Sequence, residues 1–197
     1  MGRHAQVILA DLTEMAGQDR FADEAWRWQG KVDVWINNAG ADTLTAGAGG
    51  WSFEQKLEAL WRLDVVATMR LGRTIGARMK ERGGGVILNM GWDQAERGMA
   101  GDSGELFATA KGAVMAFTRS LSRSLAPTVR VNCLAPGWIK TKWGEQASRY
   151  WQDRAANESL LARWGTPEDV ARVARFLASP AAAFINGQTI AINGGLK

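Results

Sequence analysis

The sequence predicts an α/β fold in which a parallel sheet carries helices on both faces. Three observations predict it. Short apolar runs alternate with stretches of helical periodicity along the chain. The run at 32–36 is nearly all apolar, as expected of a strand covered on both faces. The helical stretches open on capping residues and close on glycine or proline, so they read as separate elements.

In order, residues 6–10 read as a strand. Residues 14–28 read as a helix with Phe21, Ala22, Ala25 and Trp26 on one face, and Gly30 ends it. The strand at 32–36 leads to a glycine-rich loop at 46–50. Ser52 and Gln55 form a capping box that opens a long helix to Arg82, broken by the glycines at 83–85 before a buried strand at 86–89. A second long helix spans about 104–125, with Phe107, Ala110, Val114, Phe117, Leu121 and Leu125 at helical spacing. Pro127 closes it, and 129–134 is a strand. The segment 142–163 is less regular and lid-like; it holds Trp143 and Trp151, with Trp138 and Trp164 just outside. Thr166-Pro167-Glu168-Asp169 combines a capping hydroxyl, a proline at the first helical position and acids at the positive dipole end. Val170, Val173, Ala174 and Leu177 give that helix its stripe, and Asn186-Gly187 turns into a last strand at 189–192. No repeat or linker interrupts this order, so residues 1–197 read as one domain.

At 197 residues and 46% hydrophobic composition, the chain can build a sizeable core. The net charge of +4 comes from scattered basic residues, which reads as a solvated surface and not as a nucleic-acid footprint. The one cysteine, Cys133, cannot close an internal disulfide, which favours a reducing, cytoplasmic setting. No apolar stretch approaches the roughly 20 residues of a membrane span. The apolar run at 7–10 is too short for a signal peptide, and Met1-Gly2 is followed by Gln6 where myristoylation needs a hydroxyl residue.

Several short motifs could carry chemistry. Asn37-Asn38-Ala39-Gly40 follows a buried strand, where open α/β sheets bind ligands, although Asn and Gly are equally at home in a plain turn. Phe107 and Lys111 lie four apart, one above the other on a helix. Arg130-Val131-Asn132 leads through Pro136-Gly137 to Ile139 and Thr141, and Asn193-Gly194-Gly195 closes the chain's last strand.

This ordered set resembles the short-chain dehydrogenase/reductase family over nearly the whole chain. The resemblance implies a Rossmann-like doubly wound sheet that binds NAD or NADP. It implies that Asp11 bonds the adenine amino group, a role it shares with the simpler reading of an acid opening a helix. It places Asn38, Ala39 and Gly40 along the adenosine and ribose, and Lys111 on the nicotinamide ribose. Pro136, Gly137, Ile139 and Thr141 then face the nicotinamide.

The sequence departs from the family in two ways. The family's chemistry uses a tyrosine hydroxyl as general acid/base, helped by a lysine, a serine and an asparagine. Here the tyrosine position is Phe107, Trp92 stands near the serine position within Asn89-Met90-Gly91-Trp92-Asp93, and the asparagine position falls on Val66. Of the four roles only Lys111 remains. Tyr150 lies in the lid-like segment, His4 near the amino end, and Asp93, Asp102 and Glu105 near the cleft mouth in sequence, but a carboxylate matches the tyrosine's task only if its pKa is strongly raised. Second, no glycine-rich phosphate turn precedes Asn37, so the fold lacks the family's first two strands. Either the start lies upstream or the amino-terminal part is deleted. In consequence, residues 6–10 are expected to pair in parallel with 32–36.

Three functions compete. One is an NAD(P)-dependent oxidoreductase of weak or no activity on an unknown carbonyl or alcohol. Another is a pseudoenzyme that assembles with itself, as a dimer or tetramer through the helices at about 52–82 and 104–125, or with an active relative. Met69, Met115 and Phe117 form the apolar set for such a bundle, or else face their own core. The third is an apolar-ligand binder built on the tryptophans around 142–163. No metal, nucleic acid or membrane is implied.

Overall fold

The computed structural model describes residues 4–44 and 47–196. Met1, Gly2, Ala46 of the glycine-rich loop and the side chain of Trp143 lie outside the described part. Four strands form one parallel sheet in the order β1 (Val34–Asn37), β2 (Gly85–Met90), β3 (Val129–Pro136), β4 (Thr189–Ile192). Alternate residues of β2 serve opposite faces, as the pleat requires: Ile87 joins one core, Val86 and Leu88 the other.

The first core lies beneath three helices. These are α1 (Met15–Arg27), α3 (Thr68–Arg82) and α4 (Asp102–Leu125), with Ala22, Ile75, Met79, Leu121 and Leu125 packed on Ile87, Val129 and Val131. On the opposite face α7 (Pro167–Ala178) brings Leu177 onto Val86, Leu88 and Leu134. Helices therefore lie on both faces of the sheet, and the fold is the predicted α/β, Rossmann-like type. β1, however, is covered on one face only, with Val34 and Ile36 exposed on the other, contrary to its apolar run. Arginines on the long helix reach carboxylates on or beside α1: Arg70 to Asp19 at 3.0 Å, Arg78 to Asp23, and Arg82 to Asp33 at 3.0 Å.

Both capping boxes form. The Ser52 hydroxyl accepts from the Gln55 N–H at the start of α2 (Phe53–Leu60), and the Thr166 hydroxyl accepts from the Asp169 N–H. Between α2 and α3 the helix widens into a π-helical turn, Trp61–Ala67, which the sequence pattern did not foretell. The segment 142–163 contains α5 (Lys142–Gln146) and α6 (Arg149–Glu158).

Residues 6–10 contradict the expected pairing. They form no strand, and among the described residues no strand pairs with the outer edge of β1. Val7 and Leu9 are 83% and 85% exposed, and only Ile8 and Ala10 between and after them are half-buried. The segment is held instead by the Arg20 guanidinium, which donates to the Leu9 carbonyl. The following turn sits directly on α1: a Cβ at Gly17 would lie 1.9 Å from the Asp11 carbonyl oxygen. Met115 and Phe117 also resolve to the plainer reading: Met115 is buried, and Phe117 packs on the α1–α3–α4 core. Met69 alone of the three is exposed. Among the described residues no helix is long and apolar enough to cross a membrane, and no group of potential metal ligands occurs.

Candidate active site

The carboxyl ends of β1 and β2 are aligned by a buried chain of polar side chains. The Trp35 indole N–H donates to Asn37 Oδ1 (2.7 Å), Asn37 Nδ2 to Asn89 Oδ1 (2.8 Å), and Asn89 Nδ2 to the Thr118 hydroxyl (2.9 Å). Thr118 donates in turn to the Val114 carbonyl (2.8 Å), so each buried amide has partners and the strand ends are pinned to α4. No spacing rule reveals this chain, because its members come from three separate elements.

A cleft of about 1120 Å³ opens at these strand ends. Its wall brings together Asn38, Trp92, Phe107, Lys111, Pro136, Gly137, Ile139 and Thr141. Asp11, Ala39, Gly40 and Val66 are not on that wall. Ala39 instead lines, with Asn38 and Leu12, a smaller hollow of about 160 Å³. Asp11 accepts from both the hydroxyl (2.7 Å) and the backbone N–H (2.9 Å) of Thr13. The Thr13 hydroxyl and then its N–H hold the Asp11 carboxyl below the usual carboxylate range. That geometry is the turn before a helix, which the sequence left as one of two readings.

Lys111 Nζ lies 2.7 Å from Asp64 Oδ2, and the carboxylate is almost completely buried. The other oxygen of Asp64 accepts from the Ala41 N–H at 2.8 Å. Gly40 passes so close that a Cβ there would lie 3.1 Å from Asp64 Oδ2. The side chain that meets Lys111 from the long helix is therefore Asp64, on the π-helical turn, and not Val66 two residues on.

Phe107 stands one turn above Lys111, and its ring meets Trp92 edge to face with centroids 6.2 Å apart. Gly91 admits no side chain: a Cβ would lie 2.7 Å from Cys133 Sγ and 2.9 Å from Met115 Cγ. Neither Gly91 nor Trp92 presents a hydroxyl to the cleft. Burial pushes the Cys133 thiol up to about 11, which leaves it unreactive as a nucleophile.

Asp93 follows Trp92 but stands behind the Pro136–Gly137 turn. Its N–H donates to the Pro136 carbonyl (3.3 Å) and its Oδ2 accepts from Asn193 Nδ2 (3.0 Å). Burial raises its carboxyl above the ordinary range. Its Oδ1 finds no partner among the described residues. Asp102 lines the cleft mouth, whereas Glu105, His4 and Tyr150 are exposed and off its wall. On the lid side, the Trp138 indole donates to Glu158 (2.7 Å), and Arg154 lies over the rings of both Trp138 and Trp151. Trp138 and Trp151 line the cleft, giving it aromatic walls on both sides.

This wall fits the nicotinamide-ribose end of a dinucleotide: one ammonium, one amide and a Pro-Gly turn around an apolar floor. An anchor for the diphosphate is not found among the described residues. Of the helices that begin at the cleft, α4 and α7 carry acids in their first turns, Asp102 and Glu105 on the one, Glu168 and Asp169 on the other, which repel phosphate.

A family profile described as enoyl-(acyl carrier protein) reductase matches residues 1–197. The short-chain reductase protein NovJ of Streptomyces niveus is 36% identical over 176 residues, 84% of this chain. The match spans only 64% of the length of that relative. A 3-oxoacyl-(acyl-carrier-protein) reductase FabG of Chlamydia pneumoniae is 31% identical over 97% of this chain and 82% of its own. Among solved structures, a gluconate 5-dehydrogenase from Burkholderia cenocepacia in complex with NADP and tartrate superposes with a TM-score of 0.83. It is 29% identical, over 94% of this chain and 72% of that one.

Proposed function

The chain belongs to the short-chain dehydrogenase/reductase family, and from that premise we propose that it is an NAD(P)-dependent oxidoreductase of slow turnover, acting on a carbonyl or secondary alcohol. The observation that carries the reading is Lys111 on the wall of the same cleft as Pro136, Gly137, Ile139 and Thr141. Lys111 and Asn38 would hold the nicotinamide ribose, and Pro136, Gly137, Ile139 and Thr141 would face the ring. A bound nicotinamide supplies the hydride. The chain's own task is to orient the carbonyl, exclude water and deliver a proton to its oxygen. The apolar, aromatic wall of Trp92, Phe107, Trp138 and Trp151 serves the first two.

The slow turnover follows from Phe107 and Trp92, which offer no hydroxyl; general acid help is typically worth about 10²–10⁴-fold. Fluorescence titration with NADH and NADPH, followed by turnover of a carbonyl panel, tests the reading. Saturable binding with slow reduction supports it, and no binding of either dinucleotide refutes it. Phe107→Tyr alone is expected to leave turnover within about tenfold of the parent, because no hydroxyl at 91 or 92 orients the carbonyl.

A second reading, a non-catalytic subunit that pairs with itself or an active relative, draws on one observation. Phe53 and Leu57 of α2 and Trp61, the first residue of the π-helical turn, recur every four residues and all three are exposed. Such a stripe on a helix suits a helix-helix interface. If the protein is dimeric, Trp61→Glu should shift it to monomer in sedimentation.

A further inference from the structure

Among the groups around the cleft, Asp64 is left without a task in the reading above. Asp64 is a carboxylate 1% exposed, on the turn where the long helix is π-helical, and it holds the ammonium of Lys111 at 2.7 Å. A buried charge pair of this kind is costly to desolvate, so it is weak evidence for stability on its own. Its geometry is nonetheless tightly built. The Ala41 N–H fixes the second carboxylate oxygen, and Gly40 leaves just the room that Asp64 occupies. An ammonium carries three N–H donors and the salt bridge uses one. Lys111 also lines the cleft, whereas Asp64 does not.

We propose that Lys111 is itself the proton donor to the oxygen of the bound carbonyl, with Asp64 as the positioning residue that holds the ammonium at the cleft wall. This rests on the oxidoreductase reading. In the reduction, hydride from the reduced nicotinamide forms a C–H bond at the carbonyl carbon. The C=O π electrons move onto oxygen. That oxygen takes a proton from Lys111 Nζ as the N–H bond breaks, and the neutral amine left behind is reprotonated from water at the cleft mouth. The carbonyl carbon is reduced and the nicotinamide oxidised, so electrons and protons balance. An ammonium is an N–H donor and, unlike the phenyl ring of Phe107, has a proton to give. The ammonium also carries the positive charge that a nascent alkoxide needs. Phe107, one turn away, offers only its ring edge to Trp92 and does not compete for the proton.

The test uses the intact chain, NADPH and the apolar bicyclic ketone 2-tetralone. Lys111→Arg keeps a cation but does not give up a proton, and Lys111→Met keeps neither. Both variants are expected to lose about 10²-fold in kcat, with KM for the ketone changed little by the arginine. Asp64→Asn is expected to lower kcat and Asp64→Glu to restore part of it. A second readout needs no turnover. Acetylation of Lys111 by acetic anhydride, read by mass spectrometry without dinucleotide, should be slowed by saturating 2-tetralol and quickened in Asp64→Asn. Arginine and methionine variants that reduce the ketone at the parental rate, or Lys111 acetylation indifferent to 2-tetralol, overturn the proposal while leaving dinucleotide binding intact. Absence of NADPH binding overturns the oxidoreductase reading, and the proposal with it.

Discussion

Asp93 shows how one side chain can be placed by sequence yet misjudged in environment. The sequence put it near the cleft mouth; the structure turns it behind Pro136–Gly137, against Asn193, where burial raises its carboxyl. The folded state therefore binds its proton more tightly than the unfolded chain does. Stability is greatest while the group is protonated and falls as pH climbs from the ordinary value of about 4 through the raised one. Asp93→Asn removes that slope. The melting temperature of the variant should gain on that of the parent as pH rises above about 4, and parallel curves would contradict the assignment. Lys111 and Phe107 were legible because helical spacing alone puts them on one face. Asp64 was not, since it stands on a π-helical turn. A π-helical turn changes which residues face inward, and its sequence carries no cap, proline or glycine to announce it.

Elements were read best where the local chemistry was strong. The boundaries of α7 and β4 follow from Thr166-Pro167 and from Asn186-Gly187, and both capping boxes close as the residues require. Ser52→Ala should cost about 1 kcal/mol in urea denaturation, the usual value of a lost hydroxyl cap. Residues 6–10 were misread because an apolar run is necessary for a strand but does not supply a neighbour to pair with. Since Val7 and Leu9 touch solvent on most of their surface, Val7→Asp and Leu9→Asp should each change stability by less than about 0.5 kcal/mol. A loss of several kcal/mol would mean that the segment is paired after all.

For the molecule as a whole, the sheet divides two cores that were both foreseeable from period-2 strands and 3.6-period helices. Ile87 belongs to the larger one, is fully buried, and meets α3 near Gly76. Ile87→Ala should lower stability by about 2–5 kcal/mol, the range for such truncations in a close-packed interior. What no pattern could foretell is the outer edge of β1, unpaired among the described residues, because edge or centre is decided by neighbouring strands and not by any one strand's residues. Val34 and Ile36 remain partly exposed beside that edge, a surface that proteins ordinarily cover or charge.

The thiol beneath Gly91 has a practical use. Cys133 is the chain's single sulfhydryl, wholly enclosed in β3 and held in its protonated form. A maleimide pulse will therefore count only molecules whose central strand has come apart, so the native sequence already carries a clock for opening events that needs no added label.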